Sequence, residues 1–389
     1  VLYGNPFSYY SAMSRSLLNY RGVAYTEVFS TLWEMATVVI PRTKGKSMIP
    51  VLLTPKDEVI QDTALISDWL EQVMPDASRP LYPTKPAAKF AAMLVEMWSK
   101  EWMLLPAMHY RWLPGNRKYI LGQFGTVLGG YMIPRWVRAA FARKVGGQFC
   151  GFTPMLGVNS STAPEVENWF ERELLPGLDQ HLASSDFLFG PAPCAADFAF
   201  FGPMYAHLWR DALSGAVVCR FNGVVGWIGR MQALHGATFP HLNGPPPSSL
   251  SKFIFTRMFA EWFPFLSRCV DLTQAWADGV PTKAVSFPNP AARPFPRTSR
   301  GRVPRVVGET TVTINGVEAP AVARSFCVWQ LQRCALAYTR FSKTDRAEVI
   351  ATPLLSHIPP CCVYASCGLS PSHSLSLCVS LCLVAVSPR

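Results

Sequence analysis

The order of short apolar runs and helical stretches over the first seventy-five residues limits the fold of this chain more than any other feature. Residues 1–3 form an apolar strand, the polar turn Gly4-Asn5-Pro6-Phe7-Ser8 follows, and the spacing over 11–20 predicts a helix. A strand over 24–29 and a helical stretch near 32–39 come next. Strands over 48–54 and 58–60 then flank the turn Pro55-Lys56-Asp57, and a helix runs over 62–73. A βαβ unit continued by a ββα unit gives a small mixed sheet with helices packed against it.

Four prolines between 75 and 86 mark a linker, taken as 76–86. Beyond it the pattern is helical. Phe90, Leu94, Met97, Trp98, Trp102 and Leu105 recur at three- and four-residue spacings and make one apolar stripe over 87–105. Further helical stretches cover 165–182, 195–213 and 224–234, so 87–242 is expected to be an all-helical domain. Pro245-Pro246-Pro247 interrupts it. An extension over 245–345 follows, with a helix over 250–276, a proline- and arginine-rich linker over 281–304, a hairpin over 310–318 and a last helix over 324–341. Asn315-Gly316 is a two-residue hairpin signal. Residues 346–389 are rich in Ser, Leu and Cys with few charges, and are expected to be a low-complexity, disordered tail.

The formal charge of +11 raises nucleic acid or an anionic surface as partners. Arg293, Arg297, Arg300, Arg302 and Arg305 supply much of the excess from one proline-rich stretch, and no aromatic ladder interleaves with it to stack bases. A solvated basic linker is expected there, with no nucleic acid as partner. No apolar run reaches the eighteen or so residues a bilayer span needs, so no membrane partner is expected either. Of 11 cysteines, five (Cys361, Cys362, Cys367, Cys378, Cys382) crowd the last thirty residues and the rest are scattered without a C-x-x-C pair. That suits free thiols in a reducing compartment, and the cytoplasm is expected. The chain begins at Val1, so a targeting segment ahead of it stays an open expectation. No metal ligand set is legible.

Three stations combine groups able to hold a thiol-bearing peptide. Ser8 sits at a strand-to-helix turn, where a hydroxyl and the free N–H groups of a helix start can together stabilise a thiolate. Lowering a thiol pKa from about 8.5 by about two units takes about 3 kcal/mol. The alternative is that Ser8 only caps the helix, and Tyr9, Tyr10 and Ser11 are rival hydroxyls. No G-x-S-x-G elbow surrounds Ser8, which disfavours a serine hydrolase. At Ile49-Pro50 a proline between a polar turn and an apolar strand is either cis, leaving the Ile49 backbone to pair with an extended peptide, or an ordinary first residue of an edge strand. Asp62-Thr63 at a helix start can take a ligand carboxylate and ammonium, or can simply cap the helix. Lys44 and Lys46 lie near Pro50, as carboxylate partners or as solvated loop charges.

In this order and spacing, Leu2-Tyr3-Gly4, Ser8-Tyr9-Tyr10-Ser11 leading to Arg15 and Leu17-Leu18, Met48-Ile49-Pro50-Val51-Leu52, and Gln61-Asp62-Thr63 leading to Ile66 and Leu70 resemble the N-terminal domain of the glutathione S-transferase superfamily. The resemblance is to serine-type, bacterial-like members with a C-terminal extension. It implies an α+β protein, with a thioredoxin-like βαβαββα domain over 1–75 followed by an all-α domain. It implies Ser8, seven residues before Arg15, as the residue assisting the glutathione sulfur. It implies Pro50 as the cis-proline, Ile49 as a backbone contact to the cysteinyl part, and Asp62 and Thr63 as the grip on the γ-glutamyl end. The segment Phe187-Leu188-Phe189-Gly190, with Pro193-Cys194-Ala195-Ala196-Asp197-Phe198, resembles the family's capping box. Here Cys194 replaces the usual hydroxyl, so a poorer cap is expected.

The resemblance further implies a glutathione transferase of detoxifying type acting as a homodimer, with glutathione as co-substrate, no other cofactor, and a small apolar electrophile as second substrate. That electrophile is expected against Tyr10, Trp98, Trp102 and His109, with Met97, Glu101, Leu105 and Tyr110 nearby. The alternative is a non-catalytic glutathione-binding or structural protein of the same fold.

Overall fold

The computed structural model describes residues 1–76, 78–130, 133–280 and 304–355. The N-terminal unit comprises β1 (Leu2–Gly4), α1 (Tyr9–Tyr20), β2 (Glu27–Phe29), α2 (Leu32–Glu34), a π-helical turn at Met35–Val39, α3 (Ile40–Arg42), β3 (Val51–Leu53), β4 (Val59–Gln61) and α4 (Thr63–Val73). Its four strands lie in the order β2-β1-β3-β4, with β1 parallel to β2 and antiparallel to β3, and β3 antiparallel to β4. This is the mixed sheet expected from the element order, in the thioredoxin-like arrangement that the family resemblance implies. Tyr3 pairs with Val51 and Val51 with Gln61, so the end of β1, the start of β3 and the end of β4 share one edge of the sheet. All three stations therefore lie along that edge.

The helical region begins with α5 (Pro86–Glu101), α6 (Leu104–Trp112), α7 (Pro114–Gly129), α8 (Arg135–Cys150) and α9 (Phe152–Met155). It continues with α10 (Ala163–Trp169), α11 (Leu175–Leu182), α12 (Ala195–Pro203), α13 (Ala212–Val218) and α14 (Asn222–Gln232). The expected single helix over 87–105 is interrupted between α5 and α6. The α7–α8 pair was not legible, because its exposed residues mix aromatic and basic side chains without a clean apolar stripe.

Residues beyond 245 contain π-helical turns at Ser251–Phe255 and Met258–Trp262, α15 (Phe263–Ala277), β5 (Val306–Ile314), β6 (Val317–Arg324), α16 (Ser325–Thr339) and α17 (Lys343–Ala351). The hairpin turns at Asn315 and Gly316, at φ 50° and 82°, the left-handed backbone that this dipeptide tolerates. Glu261 accepts from the Asn315 N–H at 2.7 Å, and Arg257 donates to the Asn315 side chain at 3.0 Å. The hairpin is longer than expected. α17 also extends into the segment expected to lack structure, because Ser342 and Asp345 cap it reciprocally. The proline- and arginine-rich linker up to 303 and the tail from 356 lie outside the described residues, as do the five clustered cysteines.

The extension is not a separate body. Val307, Val312, Cys327, Leu331, Cys334 and Tyr338 join the same buried cluster as Met93, Trp98 and Phe200. α5 packs against α12, α16 and α17. Among the described residues no single helix is long and apolar enough to cross a membrane, no group of His, Cys, Asp or Glu has the arrangement of a metal site, and the six cysteines are free thiols.

Asp197 in the first turn of α12 is a buried hub. Its carboxylate accepts from the Leu188 N–H at 2.9 Å, the Cys194 N–H at 3.0 Å and the Trp227 indole at 3.1 Å. Burial pushes its pKa up to about 6, against those hydrogen bonds. Cys194 and Asp197 form the reciprocal capping box, with sulfur in place of a hydroxyl and the thiol 3.5 Å from the same carboxylate. Cys194→Ser is expected to stabilise the fold by about 0.5–1 kcal/mol, read as a higher denaturation midpoint at unchanged slope. An equal or lower midpoint would mean that the buried site needs the larger sulfur.

Candidate glutathione site

Ser8 is the N-cap of α1. Its Oγ accepts from the Ser11 N–H at 3.2 Å, and its N–H donates to the Asn5 carbonyl at 3.1 Å. The capping role and the availability of the hydroxyl are compatible, because the cap uses the oxygen as acceptor and leaves the proton to donate. The rival hydroxyls are otherwise engaged. Tyr9 is buried and donates to the Lys100 carbonyl; Tyr10 donates to the same carbonyl at 3.3 Å. Ser11 is fully buried and accepts from the Asn5 N–H at 3.2 Å. Burial, with Glu101 contributing, raises the pKa of Tyr10, and burial raises that of Tyr9, so both phenols stay neutral. Ser11 and Ser8 each accept one backbone N–H and have no acceptor for their proton among the described residues, but Ser11 is fully buried, so of the four Ser8 alone is both half-buried and free to donate.

The turn ahead of Ser8 is held by three arginines, each on a successive carbonyl. Arg15 donates to Asn5 O at 3.5 Å, Arg210 donates to Pro6 O, and Arg111 donates to Phe7 O at 2.7 Å. Arg15 is itself fixed by a two-pronged pair with Glu27 of β2, both contacts at 2.8 Å. Arg111 pairs with Asp211 at 2.8 and 3.0 Å, both side chains buried, and donates to Ala206 O at 2.6 Å. Sequence reasoning missed Arg111, Arg210 and Asp211. The only available signal was an arginine inside the apolar run His109-Tyr110-Arg111-Trp112, whose acidic partner is a hundred residues away.

The Ile49–Pro50 bond is cis. Gln61 donates to Met48 O at 2.8 Å and pins the loop before it. Neither the N–H nor the C=O of Ile49 pairs with another backbone group among the described residues. Asp62 caps α4 through the Ala64 N–H at 2.8 Å, and holds φ at 96°, a strained value for a residue with a side chain. Burial raises its carboxyl pKa, and Lys100, the Ala64 N–H and Arg333 oppose that rise.

Several expected contacts move. Thr63 is only 4% exposed, and its hydroxyl is buried without a partner beside a cavity of about 20 Å³ that Glu96 and Lys100 also line. The Thr63 side chain therefore faces the protein, and only its backbone is left for a ligand. Trp98 and Trp102, expected along the electrophile pocket, are core residues at 0% and 2% exposure. Trp98 meets Trp169 edge-on at 6.0 Å and stacks on Phe200 at 6.3 Å, where its large apolar surface is fully removed from water. His109 is buried on α6 and pairs with Glu167 of α10 at 2.7 Å, a contact within the helical region. Of those four residues, Tyr10 alone stays next to the Ser8 turn.

Residues 2–78 match the family model described as "Glutathione S-transferase, N-terminal domain". This segment is a glutathione S-transferase N-terminal domain. No curated protein matches the chain. Among solved structures, the chain is similar to a glutathione S-transferase-like protein from Pseudomonas syringae, at 17% identity over 83% of this chain and 95% of the other, with a TM-score of 0.41. It is also similar to the glutathione transferase GSTFuA3 from Phanerochaete chrysosporium, at 16% identity over 61% of this chain and 97% of the other, with a TM-score of 0.42. A third is the beta-etherase LigF from Sphingobium sp. strain SYK-6, at 19% identity over 60% of this chain and 94% of the other, with a TM-score of 0.40.

Proposed function

We propose that this protein is a glutathione transferase joining the glutathione sulfur to a small apolar electrophile. One observation carries the reading: the Ser8 hydroxyl keeps a free proton at the start of α1, on a turn whose carbonyls are gripped by Arg15, Arg210 and Arg111. In this reading the peptide lies along the Ile49–Pro50 edge and pairs with the Ile49 backbone. Its ammonium meets Asp62, and its γ-glutamyl carboxylate meets the N–H groups opening α4. Ser8 donates to the sulfur while the helix start favours its negative charge. The thiol proton passes to solvent, the thiolate attacks the electrophilic carbon, a C–S bond forms, and the leaving group departs with its electron pair.

Titration calorimetry with glutathione, followed by an assay with a generic aryl halide, tests this. Micromolar to millimolar binding and conjugation above the uncatalysed rate are expected. Absence of any heat of binding at neutral pH ends the reading. A second reading, a glutathione-binding protein without turnover, draws on the burial of Trp98 and Trp102, which leaves little of the expected electrophile wall. Binding without conjugation across several electrophile classes decides for it.

A further inference from the structure

Arg333 lies on α16, far along the chain, yet ties together the two helices that frame Asp62. Its guanidinium contacts Asp68 of α4 at 2.6 and 3.2 Å and Glu96 of α5 at 3.5 Å. Glu96 also pairs with Lys100 at 2.5 Å and accepts from Tyr82 at 2.7 Å. Glu96 and Lys100 are both buried, and with Thr63 they line the small cavity under the start of α4. Asp62 and Thr63 open α4, so its placement against α5 sets where that station points.

We propose that Arg333 of the C-terminal extension is a positioning residue of the glutathione site: it clamps α4 to α5 and supplies positive charge behind Asp62. This rests on the glutathione reading given above. The groups facing Asp62 are Lys100, Glu96 and Glu101 of α5, Arg333 of α16 and Tyr10 of α1. Burial opposes the charge of Glu96, but Lys100 and Arg333 outweigh it and hold its carboxyl down at about 2, so it stays ionised at neutral pH. Two cations and two carboxylates thus surround Asp62. Burial already raises the Asp62 carboxyl pKa, and Lys100 and Arg333 restrain the rise. Removing Arg333 lets it climb further. Asp62 then protonates at a higher pH, and a ligand ammonium loses its partner there.

The test is calorimetric titration of the full chain with glutathione from pH 5 to 8. Arg333→Gln is expected to weaken binding at neutral pH by about tenfold, with the pH at which binding fades moving up by about one unit. Arg333→Lys is expected to restore most of both. Asp68→Asn, which frees the α4 end of the clamp at a half-exposed position, is expected to weaken binding without moving that pH. A folded Arg333→Gln protein with wild-type affinity and pH dependence overturns the proposal, as does an Arg333→Lys protein no better than Arg333→Gln. If Arg333→Gln does not fold, wild-type affinity in Asp68→Asn overturns it. If the wild type itself takes up no glutathione, the site reading fails first, and this inference with it.

Discussion

Replacing Ser8 with alanine is expected to lower kcat/KM by about 10²–10³-fold, the usual effect of removing one preorganised donor from a developing or resident negative charge. The bound thiol's pKa is expected to rise by about two units, corresponding to about 3 kcal/mol. Glutathione affinity should change little, because the Ile49 backbone and Asp62 supply the grip. The thiolate absorbance of bound glutathione, followed against pH, gives the pKa directly. The substitution also removes an N-cap, which costs about 1 kcal/mol of stability by itself. Ser8→Gly separates the two effects, since glycine is tolerated at N-caps within a few tenths of a kcal/mol. Activity should be lost in both variants, stability mainly in the alanine one. An alanine variant with wild-type rate and thiol pKa would falsify the assignment of Ser8.

Arg111→Met is expected to destabilise the fold by about 3–5 kcal/mol, because it leaves Asp211 buried without its cation. Both side chains are almost completely removed from solvent. The same change strips the donors from Phe7 O and Ala206 O. Chemical denaturation measures the loss, and a value under about 1 kcal/mol would mean that water reaches the pair. Arg111→Met combined with Asp211→Leu is expected to recover much of the stability, since no buried charge remains. It should not recover the rate, because the carbonyl next to Ser8 stays unheld. Full activity in the double variant would show that the clamp on Phe7 does not align Ser8.

The N-terminal domain was legible because its signals are local. Strand alternation, helix periodicity and the turns at Gly4–Ser8 and Pro55–Asp57 each act over a few residues, and the observed strands differ from the expected ones mostly at their ends. The Asn315-Gly316 hairpin was legible for the same reason, as left-handed backbone at two adjacent positions selects those residue types. The electrophile wall was not. An apolar stripe containing Trp98 and Trp102 looks the same whether it lines a cleft or fills a core, and here Trp169 and Phe200, distant in sequence, fill the space around Trp98.

By itself the sequence determined the mixed sheet, the helical region after it, and the turns that carry Ser8, Pro50 and Asp62, since each follows from residue types a few positions apart. Only the tertiary structure decided which hydroxyl at the first turn keeps its proton, that the Thr63 side chain faces inward, and that Arg111, Arg210 and Arg333 converge on the site. The three arginine contacts join residues 104, 204 and 265 positions apart, brought together when burial of the common core packs α5 against α12 and α16.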